Sequence, residues 1–320
     1  MRPIQSLWWI GFLILVCFAV PAIGAAGKPP PPNQKPVLTL TGTIAFPVFS
    51  SDRETYDIFL VNADGSNLRL AFQQASQPAL SPDGTQIAFR HWRADDRGLV
   101  VASLGANGGR LRVTEFNEDV LPSWSPNGQQ IIFSSYREVD RKSRLYYLWA
   151  DARKDWVIMR SPAAVFGEDP FWMPDGRILY RVLWPSFDFQ IMNFDASHVV
   201  SVLRDEQALA GAVSPDGKNL VFMSKRSGDW DLVVAGLDRG QVRPLTNTPG
   251  IDGLPTWSPD GKAIAYLAER QGQWSLRVIS SDGSVQRQLL TLPGPPDGRV
   301  KGEPDYLNHG WYEEQISWSR

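Results

Sequence analysis

Cysteine is almost missing: among 320 residues only Cys17 carries a thiol. One cysteine cannot form an intramolecular disulfide in any redox compartment, so a hydrophobic core must supply the stability. Histidine is nearly as scarce, and the three residues His91, His198 and His309 lie far apart in the chain. A shared metal site or general base built on them is not expected. A basic excess is also lacking. Lysine and arginine number 32 against 34 acids, the formal net charge is -2, and no Lys/Arg run occurs. That removes the electrostatic footprint of a nucleic-acid binder, so nucleic acid is not an expected partner. No G-x-S-x-G nucleophile elbow is found either.

The two ends of the N-terminal region read differently from the rest. Arg2, the apolar run Leu7 to Val20 and the small residues of Ala22-Ile23-Gly24 or Gly24-Ala25-Ala26 have the order of an export signal. An uncleaved anchor is the alternative, since Leu7 to Ile23 nearly reaches the roughly 20 residues that span a bilayer. Pro21 followed by small residues favours cleavage, and Val16 before Cys17 argues against lipidation. The expected organisation is a signal peptide over 1–26, a proline-rich linker over 27–41 and a folded domain over 42–319. Export places the mature chain in the periplasm or outside the cell, with no transmembrane domain after cleavage. Residues Gly27 to Pro36 carry no apolar periodicity and read as an extended spacer.

The folded part is organised by a repeat. Ser81-Pro82-Asp83-Gly84, Ser125-Pro126-Asn127-Gly128, Met173-Pro174-Asp175-Gly176, Ser214-Pro215-Asp216-Gly217 and Ser258-Pro259-Asp260-Gly261 recur every 44, 48, 41 and 44 residues. Pro second and Gly fourth suit a tight turn between antiparallel strands. Strand-forming flanks surround each turn, such as Pro255-Thr256-Trp257 before and Ile264-Ala265-Tyr266 after. A third strand follows (Asp57 to Val61, Asp231 to Val234), then a second tight turn (Asp64-Gly65, Asp282-Gly283) and a fourth strand near Leu245 or Gln288 to Leu290. No helical period interrupts this pattern, so the class is all-β. Four-stranded units stacked radially bury both faces of each sheet, which is a propeller. Five units are complete; one at 42–72 lacks its first strand, and Gln315-Ile316-Ser317-Trp318-Ser319 matches Leu254 to Ser258 position by position. The expectation is a six-bladed β-propeller closed by the C-terminal strand pairing with the N-terminal blade.

The W-S-P-D-G core, the following I-A-F/Y and the later D-G turn make residues 42–319 resemble the WD40-like repeats of TolB-type six-bladed propellers. TolB itself carries an extra N-terminal domain, where this sequence shows only the proline-rich spacer. The resemblance implies an exported, non-catalytic module that binds another envelope or secreted protein or peptide. Weighed against it are a polysaccharide or cell-wall binder and a propeller enzyme, a metal-dependent lyase or hydrolase.

Candidate binding residues come from the loops, where a rigid scaffold usually carries recognition. The blade-to-blade connections bring carboxylates just before five of the six innermost strands: Glu118 and Asp119, Glu168 and Asp169, Asp205 and Glu206, Asp252, and Glu313 and Glu314. The loop at Gln77 has none. Acids converging on one channel mouth would attract a basic segment or Ca2+; the structural alternative is that each accepts hydrogen bonds inside its own loop. No other cofactor is expected, and a monomer is. Trp92, Trp184 and Trp311 lie near loops as rings for stacking a sugar, with Trp230 and Trp274 as further candidates. Trp124, Trp172, Trp257 and Trp318 share one innermost-strand position and read as packing. Arg53, Arg137, Arg226 and Arg270 recur after the second strand, either as an anion-binding rim or as loop-ordering ion pairs.

Overall fold

A computed structural model describes residues 38–320 except 107, 154–156, 160–163, 184–187, 239 and 304–309. The expected signal peptide and most of the linker, with Trp184 and His309, lie outside the described residues. Residues 38–41, which the sequence placed in the linker, belong to the folded unit. Leu38 and Leu40 pack against its core, and the Thr41 carbonyl accepts a hydrogen bond from Trp318 Nε1 at 2.9 Å.

Strand-forming runs of two to eight residues, joined by turns and loops, give six antiparallel sheets of four strands. Blade 1 holds β1 (Thr43–Ser50), β2 (Thr55–Asn62) and β3 (Arg69–Gln73). Blade 2 holds β4 (Ala75–Leu80), β5 (Gln86–His91), β6 (Gly98–Ser103) and β7 (Arg110–Arg112). Blade 3 holds β8 (Asp119–Trp124), β9 (Gln130–Ser135), β10 (Arg144–Trp149) and β11 (Val157–Ile158). Blade 4 holds β12 (Glu168–Trp172), β13 (Ile178–Val182), β14 (Asp188–Met192) and β15 (Val200–Arg204). Blade 5 holds β16 (Ala208–Val213), β17 (Asn219–Ser224), β18 (Asp231–Gly236) and β19 (Val242–Pro244). Blade 6 holds β20 (Ile251–Trp257), β21 (Ala263–Arg270), β22 (Gln273–Ser280) and β23 (Gln286–Thr291).

The last strand, β24 (Ser317–Ser319), joins blade 1 and gives it the order β24-β1-β2-β3. It pairs antiparallel to β1, with Thr43 opposite Ser319, Ile44 opposite Trp318 and Ala45 opposite Ser317. The ring therefore closes as the repeat predicted. Second and third strands are buried on both faces, because each sheet is sandwiched between two others, whereas outer strands such as β3 and β15 stay largely exposed.

The Ser-Pro-Asp-Gly turns explain their own residues. In blade 5 the Ser214 hydroxyl donates to Asp216 at 2.5 Å and accepts the Asn219 amide at 2.9 Å, while Asp216 accepts the Lys218 amide at 3.1 Å. Ser81 and Ser258 repeat the arrangement. The closing glycine sits at φ +73° in Gly217 and +71° in Gly84, where a side chain is strained. At Gly84 a Cβ would also lie 2.3 Å from the Arg320 carbonyl oxygen.

Candidate functional site in the propeller channel

Five of the six innermost strands contain a β-bulge at the same repeat position, β24 being the exception. Ladder register breaks between Ser76 and Ala79, Val120 and Ser123, Glu168 and Phe171, Leu209 and Ala212, and Gly253 and Thr256. The bulged residues Gln77, Leu121, Asp169, Ala210 and Leu254 all adopt positive φ between +49° and +55°, although none is glycine. Proline follows four of them, and a pre-proline residue is already driven out of the right-handed helical region. The result is a ring of five equivalent kinks facing the channel.

Inside that ring runs a cavity of about 500 Å³ to which the innermost strands of all six blades contribute. Its wall is mostly apolar, formed by Trp124, Trp172, Trp257 and Trp318, all largely buried, and by prolines from the bulges and turns. The same tryptophans stitch blades together: Trp124 Nε1 donates to the Ala79 carbonyl at 2.8 Å and Trp257 Nε1 to that of Ala212 at 3.1 Å.

At the loop end the segment leading into β24 crosses the channel. Trp311 sits 5.4 Å from the Trp274 ring and 6.2 Å from that of Trp230, in a slot that exists because residue 253 is glycine: a Cβ there would lie 2.6 Å from the Trp311 ring. From this anchor at blades 5 and 6 the chain reaches blade 2, where Glu314 accepts the Gln77 amide at 2.9 Å and the Glu313 carbonyl accepts Gln77 Nε2 at 3.0 Å. Gln315 Nε2 then donates to the carbonyls of Gln77 and of Pro122 in blade 3, both at 3.1 Å, while Gln77 Oε1 accepts the Leu121 amide at 3.0 Å. Gln77, in the one connection without an acid of its own, is thus served by the carboxylate of the closing segment.

The nine acids expected at the mouth divide into two groups, which corrects the picture of one shared opening. Asp119, Asp205 and Asp252 are each held by an arginine of their own blade: Arg137 at 3.1 Å from Nε, Arg226 at 2.5 Å and Arg270 at 2.6 Å. Arg53 pairs with Asp57 in the same manner in blade 1. The four loop arginines are therefore engaged in ion pairs that tie each second-to-third-strand loop to its sheet. Asp119 is fully buried, and desolvation pushes its carboxyl up against the opposing pull of Arg137. Glu118 pairs with Arg141 at 2.7 Å. Glu206 is exposed.

Glu168, Asp169, Glu313 and Glu314 do come together at the loop end. Arg181 binds Glu168 at 2.8 Å and Asp169 at 3.1 Å. Burial raises Glu168 to about 8, aided by the charges of Asp169 and Glu313 and opposed by Arg181. Burial likewise raises Glu314 to about 8, against its hydrogen bond from Gln77 and the attraction of Arg90. Arg90 is itself fully buried; desolvation lowers it to about 10, its guanidinium lies 3.7 Å from the Trp92 ring centroid, and it donates to the Asn117 carbonyl at 2.7 Å.

The loop aromatics are corrected as well. Trp92 and Trp311 are buried, at 6% and 8% exposure, and Trp230 and Trp274 are half-buried. Trp92 donates to Ser76 at 2.9 Å and packs on Tyr56, so it fills the junction of blades 1 and 2 and offers no face to a sugar. Sequence position marked these rings as lying near loops; it could not show that the closing segment and its neighbours fold back over them. Of the histidines, His91 is buried in β5 with Nδ1 2.9 Å from the Asp96 carbonyl, and desolvation lowers its pKa, while His198 is exposed in a turn. Among the described residues no group of three or more His, Cys, Asp and Glu is arranged to hold a metal ion.

A closed ring of six four-stranded blades with a bulge-lined channel defines the molecule as a six-bladed β-propeller. Residues 40–297 match the family model described as the TolB beta propeller domain, and the chain belongs to that family. It is 36% identical over 92 residues to the Tol-Pal system protein TolB of Anaeromyxobacter dehalogenans, an alignment covering 28% of this chain and 21% of that protein. The match thus spans about a fifth of that relative's length. Among solved structures, TolB from Acinetobacter baumannii superposes with a TM-score of 0.70 at 20% identity, over 87% of this chain and 66% of that one. A TolB candidate from Agrobacterium tumefaciens gives 0.61 at 18% identity, over 88% and 99%. At such identities these two likenesses concern the fold.

Proposed function

We propose that this chain is an exported, non-catalytic propeller that binds another protein or peptide of the cell envelope through its loop face. Membership of the TolB propeller family supports an envelope setting, and the acids and arginines of the connections are engaged with one another in a structural role. The observation that carries the reading is two exposed apolar side chains on that face, one of them beside charged groups. Val139, in the connection between β9 and β10, is fully exposed, and Phe166, just before β12, is 44% exposed. Arg144 and Lys142 lie 4.6 and 5.7 Å from the Phe166 ring centroid, and Asp140 fixes Arg144 through two contacts of 2.6 Å. An apolar centre rimmed by fixed charge is the composition of a protein-binding surface. It suits a partner presenting an apolar side chain beside carboxylates.

The test is cross-linking and affinity capture from the native envelope fraction, comparing the wild type with Val139→Glu and Phe166→Glu. Loss of the same captured species in both variants, with retention weakening as salt rises, supports the reading. Capture indifferent to both changes removes it.

A further inference from the structure

We propose that blade 2 carries an acid-sensitive latch: neutral His91 holds the loop 92–97 closed, and its protonation opens that loop and frees the segment 292–303 from blade 2. The inference is independent of the loop-face partner, since it concerns how the chain fastens its own closing segment.

The contacts of the imidazole fix its state. Its Nε2 lies 3.2 Å from Arg110 Nη2, and a guanidinium can only donate, so Nε2 is the acceptor. The ring's single N–H hydrogen is therefore on Nδ1, which donates to the Asp96 carbonyl at 2.9 Å. A second proton would set two donors face to face. Arg110 is itself held by the Asp96 carboxylate at 3.2 Å, so the residue that caps His91 and the cation that blocks it form one triangle. The imidazole is 3% exposed, so solvent cannot compensate the added charge.

The surrounding charges divide. Asp96 Oδ2, 3.4 Å from Nδ1, offsets part of the cost of an imidazolium, whereas Arg110 and Arg93 add to it; burial outweighs all three and lowers the pKa. Of the elements packed on β5, β4 and β6 carry no charged residue, β7 adds Arg112, which also faces Asp96, and β8 has Asp119, already held by Arg137. Blade 1 offers Tyr56, Arg69 and Asp57, the last paired with Arg53. Arg90, the next residue back on β5, turns to the opposite face and to Asn117. Since the open loop binds the proton better, acid favours opening: closure is complete above the ordinary imidazole value of 6.5 and is lost as pH falls below it.

The loop reaches the closing segment through its next residue. Arg97 pairs at 2.5 Å with Glu303, whose side chain is 2% exposed and also accepts Asn117 Nδ2 at 2.7 Å. Glu303 lies at the end of the segment that leaves β23 and crosses blade 1, where Phe49 donates to the Pro295 carbonyl at 2.7 Å and Tyr56 to that of Gly298 at 2.9 Å. Val300 packs there on Tyr56 and Trp92. Opening of the loop withdraws Arg97 from a buried carboxylate and raises the cost of keeping Glu303 covered, so the segment lets go of blade 2.

The experiment is hydrogen exchange on the purified full chain, read by mass spectrometry at about pH 5 and about pH 7.5, with rates corrected for the intrinsic pH dependence of exchange and peptides of blade 5 as internal reference. The expected result is a loss of protection of about fivefold or more at the acid pH in residues 92–99 and in residues 298–303, with blade 5 unchanged. His91→Gln, which still accepts from Arg110 and donates to Asp96 but cannot titrate, should keep the neutral-pH protection and lose the acid response. Should that variant fail to fold, Arg110→Gln decides, because its amide oxygen can accept the second ring hydrogen and the response should shrink. No acid response in the wild type, a response shared equally by blade 5, the same response in His91→Gln or, failing it, in Arg110→Gln, or opening of 92–99 with 298–303 still protected would each overturn the proposal.

Discussion

At the scale of single residues, the acids of the loops do two different jobs that look identical in sequence. Asp119 and Asp252 have no exposed surface and each faces one arginine. Removing one partner of such a pair leaves a buried charge uncompensated, which costs about 3–5 kcal/mol. Asp119→Asn and Asp252→Asn should each lower the unfolding free energy from urea titration by that order, and the double change Asp119→Leu with Arg137→Met should restore much of the loss. Glu168 and Glu314 behave differently, because burial raises both from the usual carboxylate value of 4.5 to about 8. The folded chain keeps these protons where the unfolded chain has released them. Their contribution to stability is complete below about 4.5, shrinks as pH rises, and is gone once pH passes about 8. Urea midpoints should accordingly fall between about pH 5 and pH 8, and Glu314→Gln should flatten that slope. An equal slope in the variant would assign the effect to other groups. On the acid side the sign reverses: the turn hydrogen bonds that lower Asp282 to about 2 are lost only when that carboxylate is protonated.

At the scale of elements, the strands and turns were legible and the kinks between them were not. Pro and Gly at fixed offsets, with Ser and Asp supplying the side-chain oxygens, announce the first turn of a blade through local chemistry alone. The bulge has no such signature, since Gln77, Leu121, Asp169, Ala210 and Leu254 share no residue type; only the ladder and a frequent following proline hold them at positive φ. The slot for Trp311 was hidden for a related reason: it needs Gly253, Trp230 and Trp274, residues from two other blades. The convergence of Glu168 and Asp169 with Glu313 and Glu314 depends on that same anchor, so a reading of single loops could find the acids without their partners. A methyl group at position 253 would meet both the Trp311 ring and the Met223 sulfur, at 2.6 and 2.8 Å. Gly253→Ala should therefore cost about 1–3 kcal/mol by overpacking. Limited proteolysis should show faster cleavage between residues 292 and 316 than in the wild type, with the remaining blades protected to the same degree.

At the scale of the whole molecule, closure by β24 is the feature on which the ring depends. Deleting residues 315–320 removes the buried Ile316 and Trp318 and bares the inner edge of β1. Two large apolar side chains alone are worth roughly 3–6 kcal/mol, against a typical total of 5–15 kcal/mol. The truncated chain should lose most of its cooperative melting transition; an unchanged transition would mean that the ring is held without the last strand.

The same strand sets the order of events in time. Trp318 and Thr41 touch across 277 positions of sequence, so no early intermediate can hold a finished ring: blades 2 to 6 are assembled from near neighbours, while blade 1 waits for residues 317–319. Joining such distant points is cheap in equilibrium terms, because closure entropy grows only with the logarithm of loop length, yet it is slow to find. Until that search ends, the edges of β1 and of the neighbouring blades stand open to strands of other molecules. The interval between synthesis and closure is thus the period in which this chain is most liable to aggregate.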